Sequence, residues 1–149
     1  MKTFFQITGI IALVAIVGAC KTTSSSVKSQ SEDITEKYWK LIELNGKPVA
    51  LDERMRREPS ITLKKEGNRV NAHGGCNTLT GSYEISNVNR IKFSQMATTM
   101  MMCLNMEIED GLKKALEMTD NYTMSADGKY LSLNRARMAL ARFEVVYMK

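Results

Sequence analysis

From residue 38 onward the chain is cut into short strand-like stretches by residues that favour tight turns. "YWKLIEL" at 38 to 44 stops at Asn45 and Gly46, and "SITLKK" at 60 to 65 is joined to "NRVNAH" at 68 to 73 through Glu66 and Gly67. "TGSYEI" at 80 to 85 and "RIKFS" at 90 to 94 flank "SNVN", and "YTMSA" at 122 to 126 and "KYLSLN" at 129 to 134 flank Asp127 and Gly128. Asp-Gly supplies the positive backbone angles of a two-residue hairpin turn, and Asn, Ser and Gly suit the longer ones. Strands joined this closely run antiparallel to their neighbours, which predicts a succession of hairpins. In "MALARFEVVYMK" at 138 to 149, Ala139, Ala141, Phe143, Val145 and Tyr147 alternate with residues that include Arg142 and Glu144. That period of two marks a strand with one buried face.

One stretch breaks the pattern. In "LNMEIEDGLKKALEMT" at 104 to 119, Leu104, Ile108, Leu112, Ala115, Leu116 and Thr119 recur at helical spacing, so one side of a helix is apolar. Asn105 is its expected cap, while Glu107, Glu109 and Asp110 favour the positive end of the helix dipole. Gly111 in the interior costs about 1 kcal/mol, so this helix depends on packing against the sheet. The expected fold is α+β: a curved antiparallel sheet, a meander and partly barrel-like, with the one helix packed against it. Residues 38 to 149 form one domain on a single core.

The beginning of the chain decides the compartment. Lys2 precedes an almost continuously apolar run at 4 to 17, "FFQITGIIALVAIV". The run is short for a membrane span of about 20 residues and suits the core of a signal peptide. Val17, Gly18, Ala19 and Cys20 resemble the lipobox of bacterial lipoproteins. The resemblance implies a signal peptide at 1 to 19 and acylation of Cys20 as the first mature residue. An ordinary cleaved leader with an incidental cysteine is the alternative. Residues 20 to 37 hold only Val27 and Ile34 as large apolar side chains, too few to order a segment. They are expected to form a tether spanning roughly 20 to 25 Å.

Several segments together resemble a known family. "YWKLIELNGKPV" with Trp39, "GGCNTLTGSYEI", "IKFSQMATTMMMC", the following helix with Glu109, and "YLSL" resemble the META domain of HslJ-like heat-shock lipoproteins. The resemblance covers nearly all of residues 38 to 149, with its segments in the expected order. It implies a small α+β domain, often lipid-anchored, linked to stress tolerance and without established catalysis.

Two stretches hold the candidate site residues. "AHGGCNTLTG" at 72 to 81 contains the only histidine, His73, beside Cys76, and "MATTMMMC" at 96 to 103 contains Met96, Met100, Met101, Met102 and Cys103. Once Cys20 is acylated, Cys76 and Cys103 are the remaining thiols of a chain expected in an oxidising compartment, and an even remainder points to a disulfide. Closing a loop of about 27 residues would contribute roughly 3 to 4 kcal/mol in the chain-entropy picture. Two buried, unpaired thiols are the alternative. Gly74, Gly75 and Asn77 then read as a sharp corner at a strand end. Met96, Met100, Met101 and Met102 suit an irregular core, or an adaptable groove that holds a peptide or lipid. If the tract is extended, Met100 and Met102 face one way and Met101 the other, so at least one face must be buried or occupied. A third reading is a Cu(I) site drawn from His73, Cys76, Cys103, Met100 and Met102, whose donors are soft or imidazole.

Other chemistry finds little footing. The net charge is +5, and the basic clusters at 53 to 59 and 135 to 137 lack interleaved aromatics, so nucleic acid is not an expected partner. No serine lies in a nucleophile-elbow motif beside the single histidine, and Gly74-Gly75 lacks the lysine of a phosphate loop. The expectation is a non-enzymatic lipoprotein of the bacterial cell envelope without a cofactor, at the outer membrane in preference to the inner. It would contribute to stress tolerance by binding misfolded protein, peptide or lipid. The rival expectation is a structural or assembly partner of another envelope protein.

Overall fold

The computed structural model describes residues 33–51, 53 and 55–147. The expected signal peptide at 1–19, the lipidation site Cys20 and most of the expected tether lie outside the described residues. Nine strands are present among those described: β1 (Tyr38–Leu44), β2 (Lys47–Pro48), β3 (Ser60–Lys64), β4 (Arg69–His73), β5 (Thr78–Ser86), β6 (Arg90–Thr98), β7 (Asn121–Met124), β8 (Tyr130–Arg135) and β9 (Met138–Val146). One helix, α1 (Glu107–Met118), joins β6 to β7.

All pairings are antiparallel, in the order β2, β1, β3, β4, β5, β6, β7, β8, β9, and β1 also pairs with β9. The sheet therefore bends into a ring-like α+β fold. Register carries one row of buried side chains across five strands: Val145, Trp39, Ile61, Ala72 and Leu79 lie opposite one another in turn. Period-two alternation puts such rows on the inner face, and the same geometry buries Leu63, Leu131, Leu133 and Phe143. The weak joint is β6 to β7, where only Arg90 and Asn121 pair.

α1 packs against β6, β8, β1 and β9 and closes the interior. Leu112, Ala115 and Leu116 are buried and Ile108 packs at the edge of the core, as the spacing predicts. A Cβ on Gly111 would stand 2.6 Å from Leu44, so the helix approaches β1 too closely for a side chain there. The helix starts at Glu107, three residues later than the apolar spacing implies, and Leu104 is 92% exposed. Asn105 still serves the helix start, because its Oδ1 accepts the Glu107 N–H at 3.1 Å.

Two further expectations need correction. The alternation in β9 slips at a bulge: Leu133 faces Ala141, Asn134 faces Ala139, and Leu140 between them is buried. Tyr147, beyond the strand, is exposed. The expected tether also ends too late. Ile34 is 1% exposed, its carbonyl accepts the Trp39 indole N–H at 2.8 Å, and the Glu36 N–H donates to the Leu63 carbonyl at 2.8 Å. Ion pairs from Asp33 to Lys65 and from Glu36 to Lys64 hold the outside of this segment. Residues 33–37 are thus part of the fold, because one isoleucine and a few backbone partners suffice to dock a polar segment.

Candidate functional site

Where β4 ends, the chain turns at Gly74 and Gly75, and α1 presses directly on that turn. A Cβ on Gly74 would lie 2.5 Å from Cβ and Cγ of Glu109, and Gly75 has a φ of 108°. Glu109 is 5% exposed despite its carboxyl group. Both of its oxygens accept from Asn77: Oε2 from the backbone N–H at 2.6 Å and Oε1 from the side-chain amide at 2.8 Å. A buried carboxyl without such partners would cost several kcal/mol, so these bonds are what permit it there.

Asn77 also reaches the loop that leads from β6 into α1. Its Oδ1 accepts the Met101 N–H and the Thr99 hydroxyl, each at 2.8 Å, and its Nδ2–H donates to the Met101 carbonyl at 3.0 Å. One amide therefore fixes a turn, a helix and a loop. The loop is fixed a second time by the disulfide between Cys76 and Cys103, whose Cα atoms are 6.2 Å apart. Of the two thiol readings, the bridged one is the one observed.

The methionines do not share one surface. Met96 lies at the edge of the core, its sulfur in the space that a side chain on Gly81 would need. Met101 is 42% exposed, and the Arg56 guanidinium donates to its sulfur at 3.2 Å. Met100 is 94% exposed and Met102 fully so. The tract thus has two free side chains on a pinned backbone: the Met101 side is the partly covered one, and the Met100 and Met102 side is open.

The sequence model of the META domain matches residues 32–146. The chain belongs to the META domain family. Two solved structures are similar in fold. One is an NMR structure with 22% identity over 77% of this chain and 93% of that one, at a TM-score of 0.59. The other, an NMR structure from Burkholderia xenovorans, has 20% identity over 80% of this chain and 88% of that one, at 0.60. No curated protein sequence matches. At these identities the similarity shows the fold of this META domain alone.

Beside the methionine loop of this META domain lie two adjoining clefts that share Met55 and Asn105. The larger, of about 820 Å³, is lined by Leu44, Val49, Leu51, Met55 and Ile108 among others. The smaller, of about 340 Å³, is lined by Met55, Arg56, Cys76, Met102 and Leu104 among others. Backbone bonds from Arg56 and Arg57 to the Gly75 carbonyl, at 2.9 and 3.3 Å, tie this segment to the corner.

Of the residues of the Cu(I) reading, Cys76, Cys103 and Met102 line one cleft, but they are not disposed as a donor set. Both cysteine sulfurs are in the disulfide, and Met100 and Met102 point into solvent. His73 has Nε2 3.2 Å from the Arg57 guanidinium and Nδ1 3.3 Å from the Thr78 hydroxyl. Arg57 can only donate, so Nε2 accepts and the proton resides on Nδ1. Burial, then the Arg57 charge, lowers the imidazole pKa below its ordinary 6.5. Among the described residues no group of three or more His, Cys, Asp and Glu is placed to hold a metal.

Sequence reasoning marked Glu109 only through the family resemblance and missed its pairing with Asn77, and it missed Met55 and Arg56 as neighbours of the methionine loop. An acidic residue in a first helical turn reads as a dipole partner on the surface. The only signal against that reading was the Gly74-Gly75 pair, which leaves room for a close approach.

Proposed function

We propose that this META domain is a lipid-anchored, non-enzymatic component of the bacterial cell envelope. In this reading it binds apolar segments of misfolded protein or peptide, contributes to stress tolerance, and is held at the membrane, the outer in preference to the inner, through Cys20. One observation carries it: Met100, Met102 and Leu104 stand in solvent on a loop with a doubly fixed backbone, next to an apolar cleft. Contiguous apolar surface on a monomer marks interaction sites, and a fixed backbone reduces the ordering cost of binding. Methionine adapts to partners of different shape, which suits clients of varied sequence. The anchor rests on the lipobox-like Val17 to Cys20.

A permanently unfolded polypeptide, reduced and carboxymethylated, is a suitable probe. It should bind the purified protein, while the same polypeptide in its native form should not. Replacing Met100, Met102 and Leu104 with serine should weaken that binding at least about tenfold, a loss of about 1.4 kcal/mol. The melting temperature should not move, since these side chains pack on little. Equal binding by the variant would sink the proposal. Cross-linking to a single stoichiometric envelope partner, with no affinity for the unfolded probe, would replace it with the assembly reading.

A further inference from the structure

The two free methionines differ from their neighbours in chemistry as well as in exposure. A thioether reacts with peroxides or hypochlorous acid through a lone pair on sulfur, so its rate follows access to that atom. Met100 and Met102 offer theirs to solvent, at 94% and full exposure. Met101, between them, is half covered and its sulfur accepts the Arg56 N–H at 3.2 Å. Met96, Met118 and Met124 pack against the core. Met138, 60% exposed on β9, is a comparison site outside the loop.

We infer that Met100 and Met102 form a reversible oxidation site, which switches the loop from apolar to polar on an unmoved backbone. This inference deepens the client-binding reading and rests on it for its consequence. With hydrogen peroxide as oxidant, the sulfur lone pair attacks one peroxide oxygen, the O–O bond breaks and an S–O bond forms. The departing hydroxide takes the proton from the oxygen now bonded to sulfur and leaves as water, so the sulfur is left as a neutral sulfoxide. Sulfur loses two electrons and peroxide gains them. In the return step a dithiol reductant takes the oxygen off as water and becomes a disulfide. Each sulfoxide places a strong dipole where a client would need an apolar contact, so affinity for apolar segments falls.

The backbone stays in place because its anchors do not include these side chains. The loop is held by the Asn77 bonds to Met101 and by the Cys76–Cys103 bridge. A disulfide is already oxidised, so the anchor survives the oxidant that modifies the methionines beside it. The same dose therefore changes the surface and spares the frame.

The experiment treats the purified protein with graded hydrogen peroxide and follows each methionine by peptide mass spectrometry, together with the melting temperature. Met100 and Met102 are expected to become sulfoxides at least about tenfold faster than Met96 and Met101, and faster than Met138, without a change in melting temperature. Methionine sulfoxide reductases with a dithiol should return both to methionine. Similar rates at Met96 and Met101, or melting that falls as Met100 and Met102 oxidise, would overturn the site. The binding assay is then repeated on oxidised protein and on M100L/M102L, which has no sulfur at either position. Parent binding should fall several-fold on oxidation and recover on reduction, while the leucine variant should be indifferent to peroxide. A parent that binds equally well when oxidised refutes the switch. A parent that never binds the unfolded probe refutes client binding and with it the switch, while the oxidation rates decide the modification site independently.

Discussion

Glu109 holds the corner, and its replacement gives the sharpest test at the scale of single residues. In Glu109→Gln one of the two acceptors becomes an amide N–H that faces an Asn77 donor. The urea midpoint should drop by an amount equivalent to about 1.5 to 3 kcal/mol, and an unchanged midpoint would contradict the role given to the pair. His73 supplies a pH dependence whose sign follows from its lowered pKa. The unfolded chain, titrating near 6.5, binds the proton more readily than the folded one. Stability present above pH 6.5 is therefore lost as pH falls through the lower folded value. Denaturant melts at pH 7 and pH 5 should show a smaller acid loss in His73→Gln than in the parent, and an equal loss would exclude His73 as a source. The cysteine pair was legible in the sequence by elimination, and the corner by its glycines. Glu109 was not, because burial of a carboxyl group depends on a partner thirty-two positions away, and spacing along a helix carries no trace of such a partner.

Elements were more legible than residues wherever a turn dipeptide marked the join. The hairpins at Glu66-Gly67 and Asp127-Gly128 fall where expected, whereas β2 has only two residues and leaves no periodic signal. β6 runs on to Thr98 past an irregularity at Gln95, whose φ is 54°, so part of the methionine tract that read as a connection is strand. The segment at 33–37 was invisible because its composition is that of a linker. Ile34→Ala should cost about 2 to 5 kcal/mol in chemical denaturation, and a loss below 1 kcal/mol would return the segment to the status of a tether. Acid acts on the same element. Burial opposes ionisation of Asp33, but hydrogen bonds from Lys65 and Thr35 prevail and bring its pKa from 3.8 to about 2. Its contribution is present above pH 3.8 and disappears as pH falls toward 2. The disulfide belongs to this scale as well, since it staples the β6–α1 loop to the start of β5. Replacing Cys76 and Cys103 by serine should cost about 3 to 4 kcal/mol, measurable as a shift of the melting temperature.

For the molecule as a whole, the ring has a strong side and a seam. β1 and β9 pair along most of their lengths, whereas β6 and β7 share one register pair. Amide hydrogen exchange should be slowest in β1, β8 and β9 and faster where β7 meets β6, and uniform protection around the ring would show that α1 carries the seam. The curved sheet was legible from hairpin spacing and the covering helix from its apolar period. The specific pairing that closes the sheet was not, because no local pattern tells β1 that β9 is its neighbour. Leu41 lies opposite Phe143. A nascent chain emerging from the ribosome has made β1 long before β9 exists, and one flank of Trp39 and Leu41 stays without its partner strand until β9 has been added. Such distant pairings fold slowly, so closing the ring onto β1 is a late step of folding, and until then the apolar side of β1 that β9 covers faces water.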